Sequence, residues 1–190
     1  MGKQIIIGIT GTLGAGKGEI VNYLVNNKNF IHISVTNYLI EEIEKRKLPI
    51  NRESMRTVAN DIRGKKGSGF IAEKLYEKAK ILKENVIIES IRTVGEVNTL
   101  KEKGNFFLFA VDADPIVRYG RIKKRESSKD SVTYKEFLEA EKKEMNNTDF
   151  AKQNLKKCIE IADYKFLNNG TFRNLYKQVN KSLKEILTNK

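Results

Sequence analysis

Gly11, Thr12, Leu13, Gly14, Ala15, Gly16, Lys17 and Gly18 form a glycine-rich octet with a lysine near its end. Glycines let successive backbone N–H groups turn toward one point. A helix opening at the lysine would add partial positive charge there. The Lys17 ammonium would reach the terminal phosphates of a nucleotide. Nucleotide chemistry is therefore the first expectation. The strict form of such loops has Ser or Thr after the lysine, where the hydroxyl helps to hold Mg²⁺. Here that position is Gly18, followed by Glu19.

Other residues have types and spacings that suit the same chemistry. Glu89 ends the apolar run Val86, Ile87, Ile88. A carboxylate at the end of a buried strand is where phosphate-loop enzymes hold Mg²⁺, usually through water. Arg92 follows three residues later, and its planar fork can take a phosphate with two parallel hydrogen bonds. Arg118, Arg121 and Arg125 fall along one helical stripe. Phosphoryl transfer is mostly positioning and charge stabilisation, so such cations fit it. The competing reading of the stripe is a basic, solvated helix face. His32, the single histidine, sits in a strand pattern and reads as a hydrogen-bonded structural residue rather than a general base. Cys158, the single cysteine, reads as a small core residue. One His and one Cys exclude a zinc site built from several such ligands, and no Cys–His hydrolase pattern is evident.

These residues need a frame. Strand patterns are predicted at 4–10, 30–34, 85–90, 105–111 and 163–168. Three contain unbroken apolar runs, as strands covered on both faces do. Helical patterns cover 17–26, 37–47, 52–63, 69–83, 94–103, 115–125, 134–146, 150–161 and 172–187. Thr93 with Glu96, and Thr133 with Glu136, have capping-box spacing. Asp114 and Pro115 suit a helix start. The alternation predicts an α/β fold of three layers, α/β/α, around a five-stranded parallel sheet. Ligands then belong at the carboxyl ends of the strands. The polar segment 126–131 is expected to be a mobile loop.

The chain has 190 residues, 39% of them hydrophobic, which suits one domain with a single core. No apolar run approaches the length of a membrane span, and the N-terminus runs directly into a strand without a leader pattern. A cytoplasmic protein is expected. The net charge is +12, but lysines are scattered among glutamates rather than clustered. That scatter favours an enzyme acting on polyanionic substrates over a nucleic-acid binder.

Taken together, these residues resemble the nucleoside monophosphate kinases, the adenylate kinase-like branch of P-loop kinases. The loop from Gly11 to Gly18 is similar to that family's, which also has glycine after the lysine. The segment from Ile31 to Leu39 resembles the start of the monophosphate-binding region. Glu89 to Thr93 resembles the family's Asp-Gly-Phe-Pro-Arg-Thr. Val111 to Arg125 resembles the strand and helix leading into the lid, and Asn168 to Thr171 the loop near adenine. Similarity extends to dephospho-coenzyme A kinases and to the kinase-like domain fused to some deoxycytidylate deaminases. Two positions depart from the family: Glu19 replaces a threonine and Ile40 an arginine.

The resemblance implies a P-loop kinase fold in one domain, 1–190, with an acceptor-binding insertion at about 35–84 and a small helical lid at about 115–150. It implies ATP and Mg²⁺ as cofactors and a nucleoside or deoxynucleoside monophosphate as acceptor. ATP would lie on Gly11, Thr12, Leu13, Gly14, Ala15, Gly16, Lys17, Gly18, Glu19, Asn169, Gly170 and Thr171. The acceptor would meet Ser34, Asn37, Arg56, Arg63 and Arg92, with Arg56 or Arg63 standing in for the arginine absent at Ile40. Glu89 would hold the metal through water. Lys17, Arg92, Arg118, Arg121 and Arg125 would carry catalysis. The alternatives are a dephospho-coenzyme A kinase, which would want a carboxylate where Asn37 stands, and a nucleotide-binding regulatory module without turnover. Monomer and dimer both remain open.

Overall fold

A computed structural model describes residues 4–124, 133–149 and 152–188. Arg125 and the 126–131 segment lie outside the described residues. The strands are β1 (Ile6–Gly11), β2 (Ile31–Ser34), β3 (Val86–Glu89), β4 (Phe106–Asp112) and β5 (Tyr164–Leu167). They form one sheet in the order β2-β3-β1-β4-β5, and every pairing is parallel. The unbroken apolar runs have a direct cause in the layering. Val86 and Ile88 of β3 enter the core on one face, and Ile87 enters the core on the other. β4 divides in the same way, Phe106 and Leu108 against Phe109 and Val111.

One face is covered by α1 (Lys17–Lys28) and α9 (Phe172–Thr188). Ile20 and Leu24 meet Leu175, Val179 and Leu183 there over Ile5, Ile7 and Ile9. The other face carries α2 (Val35–Lys45), α3 (Arg52–Lys66), α4 (Phe70–Leu82), α5 (Val94–Glu102) and α8 (Leu155–Glu160). α6 (Pro115–Lys123) and α7 (Tyr134–Met145) follow β4 and lie beside the phosphate loop and α8. Among the described residues no helix is long and apolar enough to cross a membrane.

The expected capping boxes both form, Thr93 with Glu96 and Thr133 with Glu136. Two helix starts differ from expectation by more than a single residue. α2 starts at Val35 rather than Asn37, because the Ser34 hydroxyl accepts from Thr36 N at 3.0 Å and caps the helix immediately after β2. Of the helix expected at 150–161, positions 150 and 151 lie outside the described residues, and the described helix runs from Leu155 to Glu160. Asn154 is its N-cap, while Asn154 N–H donates to the Arg92 carbonyl and its Nδ2 to that of Asn147. Those bonds hold the chain before Leu155 in a loop against the end of β3.

The parallel register brings three strand ends together. Ile9 of β1 pairs with Glu89, and Gly11 pairs with Val111. Beyond Glu89 the chain turns sharply through Ser90, which has φ 71. That left-handed conformation usually calls for glycine, the residue the resembling kinases have there.

Candidate active site

Gly16 sits at the N-cap of α1 with φ 106, and no side chain among the described residues caps this helix end. A helix N-terminus without a side-chain cap is the usual basis of phosphate binding. A Cβ on Gly16 would lie 2.4 Å from Asn168 Nδ2, which donates to the Ala15 carbonyl at 2.8 Å. The loop is thus fixed from β5 as well as from β1. The Lys17 ammonium folds over the loop, donating to the Gly11 and Thr12 carbonyls at 2.8 and 2.9 Å. Thr12 Oγ1 donates to Asp112 Oδ1 at 2.5 Å. Glu19 turns away from the loop, toward the α9 side, and accepts from the Tyr176 hydroxyl at 3.3 Å. Tyr176 also stacks on Tyr23, the ring centroids 4.3 Å apart.

Glu89 lies at the end of β3, where His32 Nε2 approaches its Oε2 at 3.1 Å. Facing a carboxylate, that nitrogen carries the proton and donates. Burial pushes the Glu89 carboxyl up. The His32 bond and charge, with the charges of Lys17 and Arg92, outweigh burial and hold it below the ordinary glutamate value. It is ionised at neutral pH, within the fields of Lys17 and Arg92, two of the expected catalytic cations. His32 is hydrogen-bonded as expected, and its partner is the carboxylate expected to hold the metal.

Arg92 Nη1 reaches Glu144 at 2.7 Å and Gln153 Oε1 at 3.0 Å. Arg118 is almost fully buried. Its Nε donates to the Ala113 carbonyl at 2.6 Å, its Nη1 to the Leu13 carbonyl at 3.4 Å, and its guanidinium grips the Glu141 carboxylate with both Nη atoms. It therefore ties the phosphate loop, the start of α6 and α7 together. Arg121 joins α6 to the loop after β5, donating to the Asn168 carbonyl at 2.8 Å. In that loop Asn169 Oδ1 accepts from Asp114 N, and Gly170 and Thr171 are exposed just before α9.

A cavity of about 1120 Å³ opens beside the loop, bounded by Leu13, the α2–α3 segment, Ser90 and Arg92, α7, Asn146, Asn147, Lys152 and Gln153. Arg56, Arg63 and Arg92 line it. Ser34 and Asn37 do not: the Ser34 hydroxyl caps α2, and Asn37 is exposed on that helix. Arg63 is fully buried and bonds Glu96 Oε1 through Nε at 3.2 Å and Nη2 at 2.7 Å. Glu96 also accepts from the backbone N–H groups of Arg92 and Thr93, at 2.9 and 3.1 Å. One buried carboxylate thus positions two of the arginines of the cavity wall, Arg63 through its side chain and Arg92 through its backbone. Asp112, Glu96, Glu141, Glu144 and Gln153 complete the site and were not singled out as site residues by sequence reasoning. Only Glu96 had a local signal, its capping-box spacing.

Among the described residues, no group of three or more His, Cys, Asp or Glu side chains is arranged to hold a metal ion alone. A lone ionised carboxylate suits Mg²⁺, which takes one or two carboxylates, substrate phosphates and several waters. Glu89 fits that requirement.

Residues 10–139 match a family described as AAA domain, a span that takes in the phosphate loop, most of the cavity wall and Glu89. The UPF0200 protein PH1008 of Pyrococcus horikoshii is 30% identical over 191 residues, covering 97% of this chain and 99% of that protein. A shikimate kinase from Bacteroides thetaiotaomicron superposes with TM-score 0.56 at 16% identity, covering 97% of this chain and 98% of that one. A gluconokinase from Sinorhizobium meliloti superposes with TM-score 0.58 at 11% identity, covering 98% and 95%. At such identities these two likenesses speak for the fold alone, a P-loop kinase fold. The chain belongs to the AAA-domain family of phosphate-loop proteins and groups with the UPF0200 proteins.

Proposed function

We propose that this protein is an ATP-dependent phosphotransferase that moves the γ-phosphoryl group of ATP to a nucleoside or deoxynucleoside monophosphate. One observation carries the reading. A phosphate loop with its lysine in place stands beside a cavity of about 1120 Å³ whose wall holds four arginines, Arg52, Arg56, Arg63 and Arg92. That is room for a second, anionic substrate next to the first.

The loop N–H groups and Lys17 bind the β and γ phosphates. The loop around Asn169, Gly170 and Thr171 borders the adenine side. Arg92 takes the acceptor phosphate, with Arg56 beside it at the cavity mouth. An acceptor phosphate oxygen then attacks the γ-phosphorus while the bond to the β–γ bridging oxygen breaks, and ADP leaves with that electron pair. The acceptor oxygen is already anionic, so no general base is required. Glu89 would hold Mg²⁺ through water, and the metal when bound neutralises charge on the β and γ oxygens. Arg118, gripped on three sides, positions the loop against α7. Arg121 secures the loop after β5. Glu19 faces Tyr176, so its departure from the kinase pattern leaves the phosphate site undisturbed.

The test is an ATP-consumption screen against all nucleoside and deoxynucleoside monophosphates and dephospho-coenzyme A, with Lys17→Ala and Arg92→Ala alongside. Turnover with a monophosphate, lost in both variants, supports the proposal. Turnover only with dephospho-coenzyme A would reassign the acceptor. Lys17-dependent ATP binding without turnover would leave a nucleotide-sensing module.

A further inference from the structure

Along the chain the basic residues are scattered, but the fold lines four of them up on one outer face. We infer that this face, the solvent side of α9, binds single-stranded RNA through its phosphates.

α9 carries Arg173, Lys177, Lys181 and Lys184 against one acid, Glu185. At 3.6 residues per turn the four fall within an arc of about 80°, and Glu185 stands about 100° round from Lys184. All four are exposed, while Leu175, Val179, Leu183 and Ile186 of the same helix are packed into the core. The stripe runs for roughly 16 Å. None of its cations is paired with a carboxylate among the described residues. Other helices interleave their charges, Lys45 with Glu42, Lys65 with Asp61, Lys74 with Glu77 and Lys157 with Glu160. α9 instead sets like charges one turn apart from Arg173 through to Lys184, which works against a helix. A polyanion laid along the stripe removes that repulsion.

The flank toward α1 narrows the polyanion. Tyr176 and Tyr23 stack there, both partly exposed, and Asn180 donates to the Tyr23 hydroxyl. Lys28 Nζ lies 5.9 Å from the Tyr23 ring centroid. Asn22 and Asn26 of α1 are exposed, and Asn26 is one turn beyond Tyr23. Unpaired bases stack on tyrosine rings. Asparagine amides both donate and accept, as a ribose 2′-hydroxyl does. A DNA strand lacks that hydroxyl and an acidic peptide lacks the bases. A lipid surface calls for a broad apolar face beside the cations, and that face of α9 is packed inside. None of the stripe residues lines the acceptor cavity, so the inference stands apart from the kinase reading.

The experiment is fluorescence anisotropy of a labelled oligouridylate of about 12 nucleotides with the full chain, over a series of salt concentrations. One variant combines Lys177→Gln, Lys181→Gln and Lys184→Gln. A second removes the same charge elsewhere, from the exposed Lys78, Lys80 and Lys156, also to Gln. Thermal melts confirm that both fold. The parent should bind with Kd no weaker than about 100 µM in about 0.1 M salt. The stripe variant should bind at least about tenfold more weakly, with a log–log salt slope shallower by about 2, since each single-strand phosphate contact adds about 0.7. The second variant should bind within about threefold of the parent, and ATP turnover should be unchanged in both. No binding by the parent, or equal losses in the two variants, overturns the inference. The deoxyuridine oligomer of the same length binding as tightly overturns the assignment to RNA. Phosphatidylserine vesicles bound through the stripe, with no RNA bound, would give the face to a membrane and overturn it too.

Discussion

Replacing Glu96 by alanine should be among the most damaging single changes to the fold. Its carboxylate is fully buried and accepts from Arg63 Nε and Nη2 and from the N–H groups of Arg92 and Thr93. Without it, the buried Arg63 guanidinium has lost its counter-charge. Breaking one side of such a pair costs roughly 3–5 kcal/mol. The lost capping box of α5 adds about 1 kcal/mol. A domain of this size has only about 5–15 kcal/mol in total. Urea unfolding followed by circular dichroism should therefore show a loss of about 4–6 kcal/mol, and Tm should fall by roughly 10–20 °C. A Glu96→Leu, Arg63→Met double variant should recover most of the loss, because a buried pair replaced as a unit by apolar side chains is often neutral. A Glu96→Ala protein within about 1 kcal/mol of the parent would refute the reasoning, since it would mean that Arg63 is solvated or paired otherwise.

Other expected outcomes follow from single positions. Gly16→Ala forces a Cβ to 2.4 Å from Asn168 Nδ2 at φ 106, so nucleotide affinity by calorimetry should fall at least about tenfold. Gly18 has open space around it and an ordinary helical position, so Gly18→Ala should instead stabilise by about 0.5–1 kcal/mol in the same urea assay. Burial, chiefly, with Glu96 pushing the same way against Arg63, drives the Cys158 thiol up to about 12. A thiol-specific chromogenic reagent at mildly alkaline pH should label it only as fast as the fold opens, and at once in guanidinium chloride. The raised value also sets a sign: the stability it contributes is intact below about pH 9 and is lost as pH climbs toward about 12. Comparison with Cys158→Ala across that range isolates it.

Local signals carried the sheet and the phosphate loop. The runs at Ile5, Val86 and Phe106 are apolar on successive residues because each strand is covered on both faces, and that property is written in neighbouring residues. The same holds for the capping spacing of Thr93 and Glu96. What stayed hidden depends on contacts between distant parts of the chain. Thr12 meets Asp112 across 100 residues, and Arg63 meets Glu96 across 33. Glu141 and Glu144 lie in a run of alternating charge that looks like a solvated helix face, yet they hold Arg118 and Arg92. His32 pairs with Glu89 only because β2 and β3 lie side by side. The late start of α8 has the same origin, since the bonds of Asn154 to Arg92 and Asn147 compete with helix before Leu155.

Following the label from γ-labelled ATP, in the presence of Mg²⁺ and a mixture of nucleoside and deoxynucleoside monophosphates, tests the kinase assignment most directly. The account predicts that the label passes to a nucleoside diphosphate, one for each ADP formed. The transfer should disappear in Lys17→Ala and fall by about a hundredfold or more in Arg92→Ala. Label that stays in ATP, or is released only as inorganic phosphate whatever monophosphate is supplied, would contradict it.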